Sequence, residues 1–147
     1  MTIGLASDHR GYKLKEYLKK SLTKQDIKII DYGTNSTEST DYPDYAFALG
    51  KGVVSKEVDY GVAICGSGIG ISIACNKVKG IRCAKVSNSR EAMVTRIDNN
   101  SNIVAFGELT SKRKALSIVK TFINTKPSTE EKHLRRINKI LKYEEEN

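Results

Sequence analysis

A chain of 147 residues with 39% hydrophobic and 29% charged residues is long enough for one domain with a real core and too short for two ordinary ones. A single domain over residues 1–147 is therefore expected. No apolar run approaches the ~20 residues of a membrane helix. The start, MTIGLASDHR, lacks the basic and apolar blocks of a secretory signal, so a cytoplasmic protein that binds no membrane is expected.

The formal charge is +8, with the densest basic region between Lys112 and Lys142. Solvated helix faces are the first reading of these charges, a small anionic substrate the second. Nucleic acid comes third and is not expected, because finger spacing, RRM aromatics and a KH loop are all missing.

The elements follow in chain order. Thr2 to Ser7 is a short apolar strand. Leu14, Tyr17, Leu18 and Leu22 then recur at helical spacing. DIKIIDYG alternates and stops at Gly33, as a second strand does. TNSTESTDYPD reads as a loop. A helix is expected from Tyr45, weakened by Gly50 and Gly52. DYGVAIC is a third strand, apolar enough to be covered on both faces. Past a glycine loop come a helix in IGISIACNKV, a strand in GIRCAKVS, a helix in SREAMVTRI, a strand in SNIVAFG and a helix in SKRKALSIVKTFIN. Pro127 breaks that helix. A last one opens at Ser128, with Glu131 three residues on, the pattern of a capping box. Strict alternation predicts an α/β fold: an open, mainly parallel five-stranded sheet, helices on both faces and a C-terminal helix. Ligands of such sheets bind beyond the carboxyl ends of strands. That singles out Ser7-Asp8-His9, Cys65 to Gly70, Ser87-Asn88 and Phe106-Gly107.

The stretch AICGSGIGIS, Ala63 to Ser72, carries the strongest signal. Closely spaced glycines let a backbone approach a ligand and aim N–H groups at it, and the following helix adds its positive end. The loop then holds a phosphate or a developing enolate oxygen; a plain strand-to-helix turn fits the same residues. Named alternatives fail on spacing. The dinucleotide fingerprint G-x-G-x-x-G is not met, the P-loop motif is absent, and no arginine closes the run after Cys65 as a cysteine phosphatase requires. The three cysteines form no C-x-x-C pair and the histidines number two, so neither a disulfide scaffold nor a metal centre is expected. Cys75 and Cys83 read as core packing. Cys65 stands where a strand ends and a helix begins, a position that favours the thiolate and a chemical role.

ASDHRGYKLKEYL, DYGTNSTESTDYPDYA, GVAICGSGIGISIACNKVKGIRCA and NNSNIVAFG together resemble the ribose-5-phosphate isomerase B and galactose-6-phosphate isomerase family, nearly end to end. The resemblance implies a Rossmann-like three-layer fold, aldose–ketose isomerisation of a sugar phosphate without metal or cofactor, and a homodimer or higher assembly with shared active sites. Such isomerisation needs a base, an oxyanion stabiliser, a phosphate anchor and help with ring opening. By resemblance, Cys65 is the base, Ser67 hydrogen-bonds near it, and backbone N–H groups across Gly66, Gly68 and Gly70 hold the enediolate oxygen. Asp8 binds sugar hydroxyls, although an aspartate there also suits a helix cap. His9 contacts the sugar or phosphate. Tyr42 and Asn99 match substrate-lining positions, and Arg136 a phosphate-binding arginine contributed across a subunit interface.

The chain also departs from the pattern. Asp98 stands where many members have a ring-opening histidine, Leu109 where an arginine often follows the strand, and Lys132 where one phosphate arginine is usual. A lysine keeps the charge and loses the bidentate fork. These changes leave open a related pentose or hexose phosphate, a galactose-6-phosphate isomerase type of subunit, or a non-catalytic sugar-phosphate-binding partner.

Overall fold

The computed structural model describes residues 1–147 and alternates strands and helices as the pattern predicts. The elements are β1 (Thr2–Ser7), α1 (Tyr12–Thr23), β2 (Lys28–Asp31), α2 (Tyr42–Val54), β3 (Tyr60–Cys65) and α3 (Ile69–Cys75), then β4 (Cys83–Lys85), α4 (Ser89–Asn99), β5 (Ile103–Gly107), α5 (Lys112–Asn124) and α6 (Glu131–Glu146). The strands form one sheet in the order β2-β1-β3-β5-β4, and every pairing is parallel.

Side-chain parity divides the core in two, because successive strand residues point to opposite faces. Ile3, Leu5, Val62, Ile64, Val104 and Phe106 face α1 and α5, meeting Leu14, Leu18, Ile118 and Phe122. Ala6, Ala63, Cys65 and Ala105 face α2 and α3, meeting Leu49, Val53 and Ile71. The first face is bulky and the second small, so α2 and α3 approach the sheet closely. Cys65 inherits the small face by parity and so lies under the start of α3.

The sheet order sets the place of a crevice. From β1 the chain crosses to β2 on one side, while β3 lies on the other side of β1. The loops leaving β1 and β3 therefore diverge, and ligands bind at such a switch point. Asp8 N–H donates to the Ile64 carbonyl at 3.2 Å, which ties the two strand exits together.

Several boundaries differ from the expectation. α2 starts at Tyr42, so that tyrosine belongs to a helix rather than a loop. Pro43 sits in its first turn, where a missing N–H costs nothing. Gly52 does not weaken α2: a Cβ there would lie 2.0 Å from the Tyr32 hydroxyl, so its absence admits the ring. α6 starts at Glu131 without a side-chain cap. The expected capping box does not form because Ser128 N–H donates to the Ile97 carbonyl at 3.0 Å, holding Ser128 at the end of α4. Its hydroxyl instead accepts from Glu130 N–H at 3.0 Å.

A buried ion cluster braces the β2 exit. The Lys15 side chain is fully buried, and its Nζ donates to both Asp31 oxygens at 2.8 and 2.7 Å. Lys19 Nζ adds a bond at 2.9 Å, and Gly33 N–H another at 2.9 Å. Burial pushes the Asp31 carboxyl up, but the hydrogen bonds from Lys15, Gly33 and Lys19 outweigh it, and the net shift is downward. A carboxyl lowered in the fold stabilises above its unfolded range and loses that contribution as pH falls through its folded value. Asp31→Ala, which leaves the buried Lys15 ammonium with Glu16 Oε1 at 2.9 Å as its one remaining carboxylate, should cost about 3 kcal/mol in urea unfolding at pH 7. Asp31→Asn should lack the component of acid destabilisation that the native protein shows below about pH 4. A variant of native stability with an unchanged acid limb would refute this account.

Candidate active site

The glycine loop starts where β3 ends. Cys65 is 5% exposed, and its Sγ accepts a hydrogen bond from Gly68 N–H at 3.1 Å. That bond requires the chain to double back, and Gly68 does so at φ 78°, in the left-handed region. A Cβ on Gly68 would also lie 2.6 Å from the Phe106 carbonyl carbon. The β5 exit clamps the loop from the other side: Glu108 N–H donates to the Cys65 carbonyl at 2.9 Å.

The donors of this loop are not equivalent. Gly68 N–H is taken by the thiol, and Ile69 N–H by the Ser67 hydroxyl at 3.1 Å. Gly66, Ser67 and Gly70 N–H groups have no acceptor within the chain. Within the chain, then, Gly68 N–H serves the sulfur, and the loop donors without an acceptor are those of Gly66, Ser67 and Gly70. Ser67 is exposed, and its hydroxyl, which accepts from Ile69 N–H at the entry to α3, still has its proton to donate. Tyr42 covers the first turn of α3, since a Cβ on Gly70 would lie 2.6 Å from its ring.

The β1 exit supplies the second wall. Asp8 is 7% exposed, and its Oδ1 accepts from Arg10 N–H at 2.9 Å and Gly11 N–H at 3.1 Å. Asp8 is not the helix cap that its position suggested: α1 is capped by Gly11 with no side-chain bond, and Asp8 instead holds the turn before it, while Oδ2 has no partner in the chain and remains free for a hydroxyl donor. His9 Nδ1 lies 3.2 Å from both the N–H and the carbonyl of Thr40, which fixes the ring and leaves Nε2 unpartnered. A cavity of about 420 Å³ lies here, lined by Asp8, Thr40, Asp41, Tyr42, Pro43 and Asp44.

The remaining predicted residues lie elsewhere. Asp98 and Asn99 end α4, before β5 begins, and so stand at the amino edge of the sheet. Cys65 pairs with Gly107, at the other end of β5. The length of that strand alone puts roughly 13 Å between the two levels. Asp98 Oδ1 lies 3.6 Å from His133 Nε2 on α6. The Asn99 carbonyl accepts from Arg82 Nε at 3.0 Å. Lys132 pairs loosely with Glu130 at 3.5 Å, and exposed Arg136 makes no ion pair. One chain therefore carries two half-sets at opposite edges: Asp8, His9, Tyr42 and the Cys65 loop at one, Asp98, Asn99, Lys132 and Arg136 at the other. Sequence reasoning passed over Arg10, Glu108 and His133. Arg10 was signalled by its place directly after Asp8-His9 at a strand exit.

No helix is long and apolar enough to cross a membrane. The model of the Ribose/Galactose Isomerase family matches residues 3–140. Ribose-5-phosphate isomerase B of Escherichia coli is 44% identical over 71% of this chain and 70% of its own. The structure of Clostridium thermocellum ribose-5-phosphate isomerase B superposes with a TM-score of 0.95 at 42% identity, covering 99% of both chains. That of the Mycoplasma genitalium enzyme with bound ribulose-5-phosphate gives 0.92 at 34% identity, over 99% of this chain and 97% of that one. With the family model matching nearly the whole chain and the solved structures superposing over almost their full length, the chain belongs to the ribose/galactose isomerase family of aldose–ketose sugar-phosphate isomerases.

Proposed function

We propose that residues 1–147 form one cytoplasmic isomerase domain that interconverts ribose 5-phosphate, or a closely related aldose phosphate, with its ketose through an enediolate. The observation that carries this reading is the Cys65 thiol at the switch point, its sulfur facing Gly68 N–H at 3.1 Å beside three unused backbone donors. The Cys65 thiolate takes the C2 proton of the open-chain aldose. The electron pair moves through C1 onto O1, which the N–H groups of Gly66, Ser67 and Gly70 stabilise. The O2 proton passes to O1, the thiol returns its proton to C1, and C2 becomes the carbonyl. Asp8 Oδ2 orients a sugar hydroxyl, and Tyr42 closes the wall.

The second half-set completes the site from another copy of the chain. Asp98, Asn99, Lys132 and Arg136 cannot reach Cys65 within one protomer, and a phosphate dianion needs cations such as Lys132 and Arg136. A homodimer is the smallest assembly that supplies both.

Ketose formation from a panel of aldose phosphates tests the reaction, and Asp98→His tests substrate choice. A carboxylate accepts a proton from the anomeric hydroxyl but is a poor donor to the ring oxygen at neutral pH. Asp98→His should raise turnover of ribose 5-phosphate by about tenfold relative to the preferred sugar. A parallel fall of both activities with the melting temperature would instead make Asp98 a structural partner of His133. No ketose from any aldose phosphate would overturn the proposal.

A further inference from the structure

The carboxyl edge of the sheet holds a guanidinium that the scheme above leaves unused. Arg10 Nε donates to Glu108 Oε1 at 2.8 Å, and Nη2 donates to the same oxygen. This bond joins the β1 and β5 exits across 98 residues of sequence. The side chain also lies against the backbone of Gly66: a Cβ there would be 3.2 Å from Arg10 Nε and 3.3 Å from Cζ. Gly66 directly follows Cys65, so the guanidinium is stationed on the reacting loop.

Three facts argue that it serves a ligand. First, the Arg10 side chain is 58% exposed, and an exposed ion pair contributes little to stability. Second, Glu108 occupies only Nε and Nη2, and Nη1 has no partner in the chain. Third, the free donors of the loop are neutral backbone N–H groups, and Leu109, 92% exposed, brings no polar atom to the β5 exit. The charge of Arg10 is held by Glu108 first, with Asp8 and Cys65 adding to it. Its root is fixed and its tip is open, the arrangement that binds an oxyanion with directed N–H donors.

We propose that Arg10, positioned by Glu108 against the Gly66 backbone, binds the phosphate group of the substrate from the same protomer that supplies Cys65. This rests on the reading of the Cys65 loop as the reacting centre. It adds a phosphate cation to the half that holds Cys65, beside the Lys132 and Arg136 that the partner copy supplies.

Arg10→Ala should raise KM for ribose 5-phosphate by about 10- to 100-fold and change kcat by less than about threefold. Inorganic phosphate, titrated calorimetrically, should weaken by a similar factor, while iodoacetamide should alkylate Cys65 at its native rate. Arg10→Lys should recover part of the affinity, and Glu108→Gln, which frees the guanidinium, should fall between native and Arg10→Ala. Unchanged KM and unchanged phosphate binding in Arg10→Ala would overturn the proposal. So would a fall in kcat and alkylation rate at constant KM, because Arg10 would then act on the thiol. Phosphate titration does not need turnover, so a failure of the Cys65 assignment, seen as an active Cys65→Ala enzyme, is distinguishable from a failure of this one.

Discussion

Cys65→Ala should lose turnover by about 10³-fold or more while keeping its fold. A positioned acid–base group contributes roughly 10²–10⁴-fold, and in the proposed scheme the same group both removes and returns the proton. Cys65 is 5% exposed and packs on the small-residue face of the sheet, and truncating its side chain leaves the clamp from Glu108 N–H to the Cys65 carbonyl in place. The other thiols supply the control. Cys75 is fully buried against α2, with Sγ 3.9 Å from the Ala46 carbonyl. Cys83 is pushed up by its hydrogen bond with Cys75 and by burial, which keeps it neutral. Cys75→Ala and Cys83→Ala should each cost about 1–2 kcal/mol of stability and leave kcat near native. Iodoacetamide should inactivate the native enzyme, and substrate should slow that inactivation. Near-normal turnover of Cys65→Ala would remove the base from the mechanism.

Coexpression of a Cys65→Ala chain with an Arg136→Ala chain should restore activity that neither variant has alone. In a two-fold dimer with shared sites, each heterodimer holds one doubly impaired site and one intact site. Random pairing makes half the dimers heterodimers, so about a quarter of native sites return. The expectation follows from the sheet: Asp98 and Asn99 precede β5, while Cys65 aligns with its last residue, Gly107. α6 is fastened to the Asp98 end, through Ser128 N–H to the Ile97 carbonyl and through Glu144 Oε2, which accepts from Gly80 N–H at 3.0 Å. Arg136 cannot swing to the far edge without breaking those ties. Recovery no greater than the sum of the separate variants, or a fully active monomer, would require the halves to act within one chain.

The alternation of strands and helices, the parallel sheet and the edge on which Cys65 lies were all legible in the sequence. Each is a local property: hydrophobic period marks the element, and the residue closing an apolar strand sits at its carboxyl end. The division of the candidate residues was legible in part. A residue that ends a helix and precedes a parallel strand, as Asp98 does, must lie at the amino edge, so topology already separated it from Cys65. Only the tertiary structure decided which donors are free. Gly68 and Ile69 N–H are consumed by Cys65 and Ser67, a result of the φ of 78° at Gly68 rather than of composition. It also decided that Ser128 caps nothing, because the Ile97 carbonyl, on another helix, claims its N–H. Arg10 and Glu108 meet across 98 residues. No periodicity encodes that distance; it exists because β1 and β5 flank β3 and bring their exits to one rim.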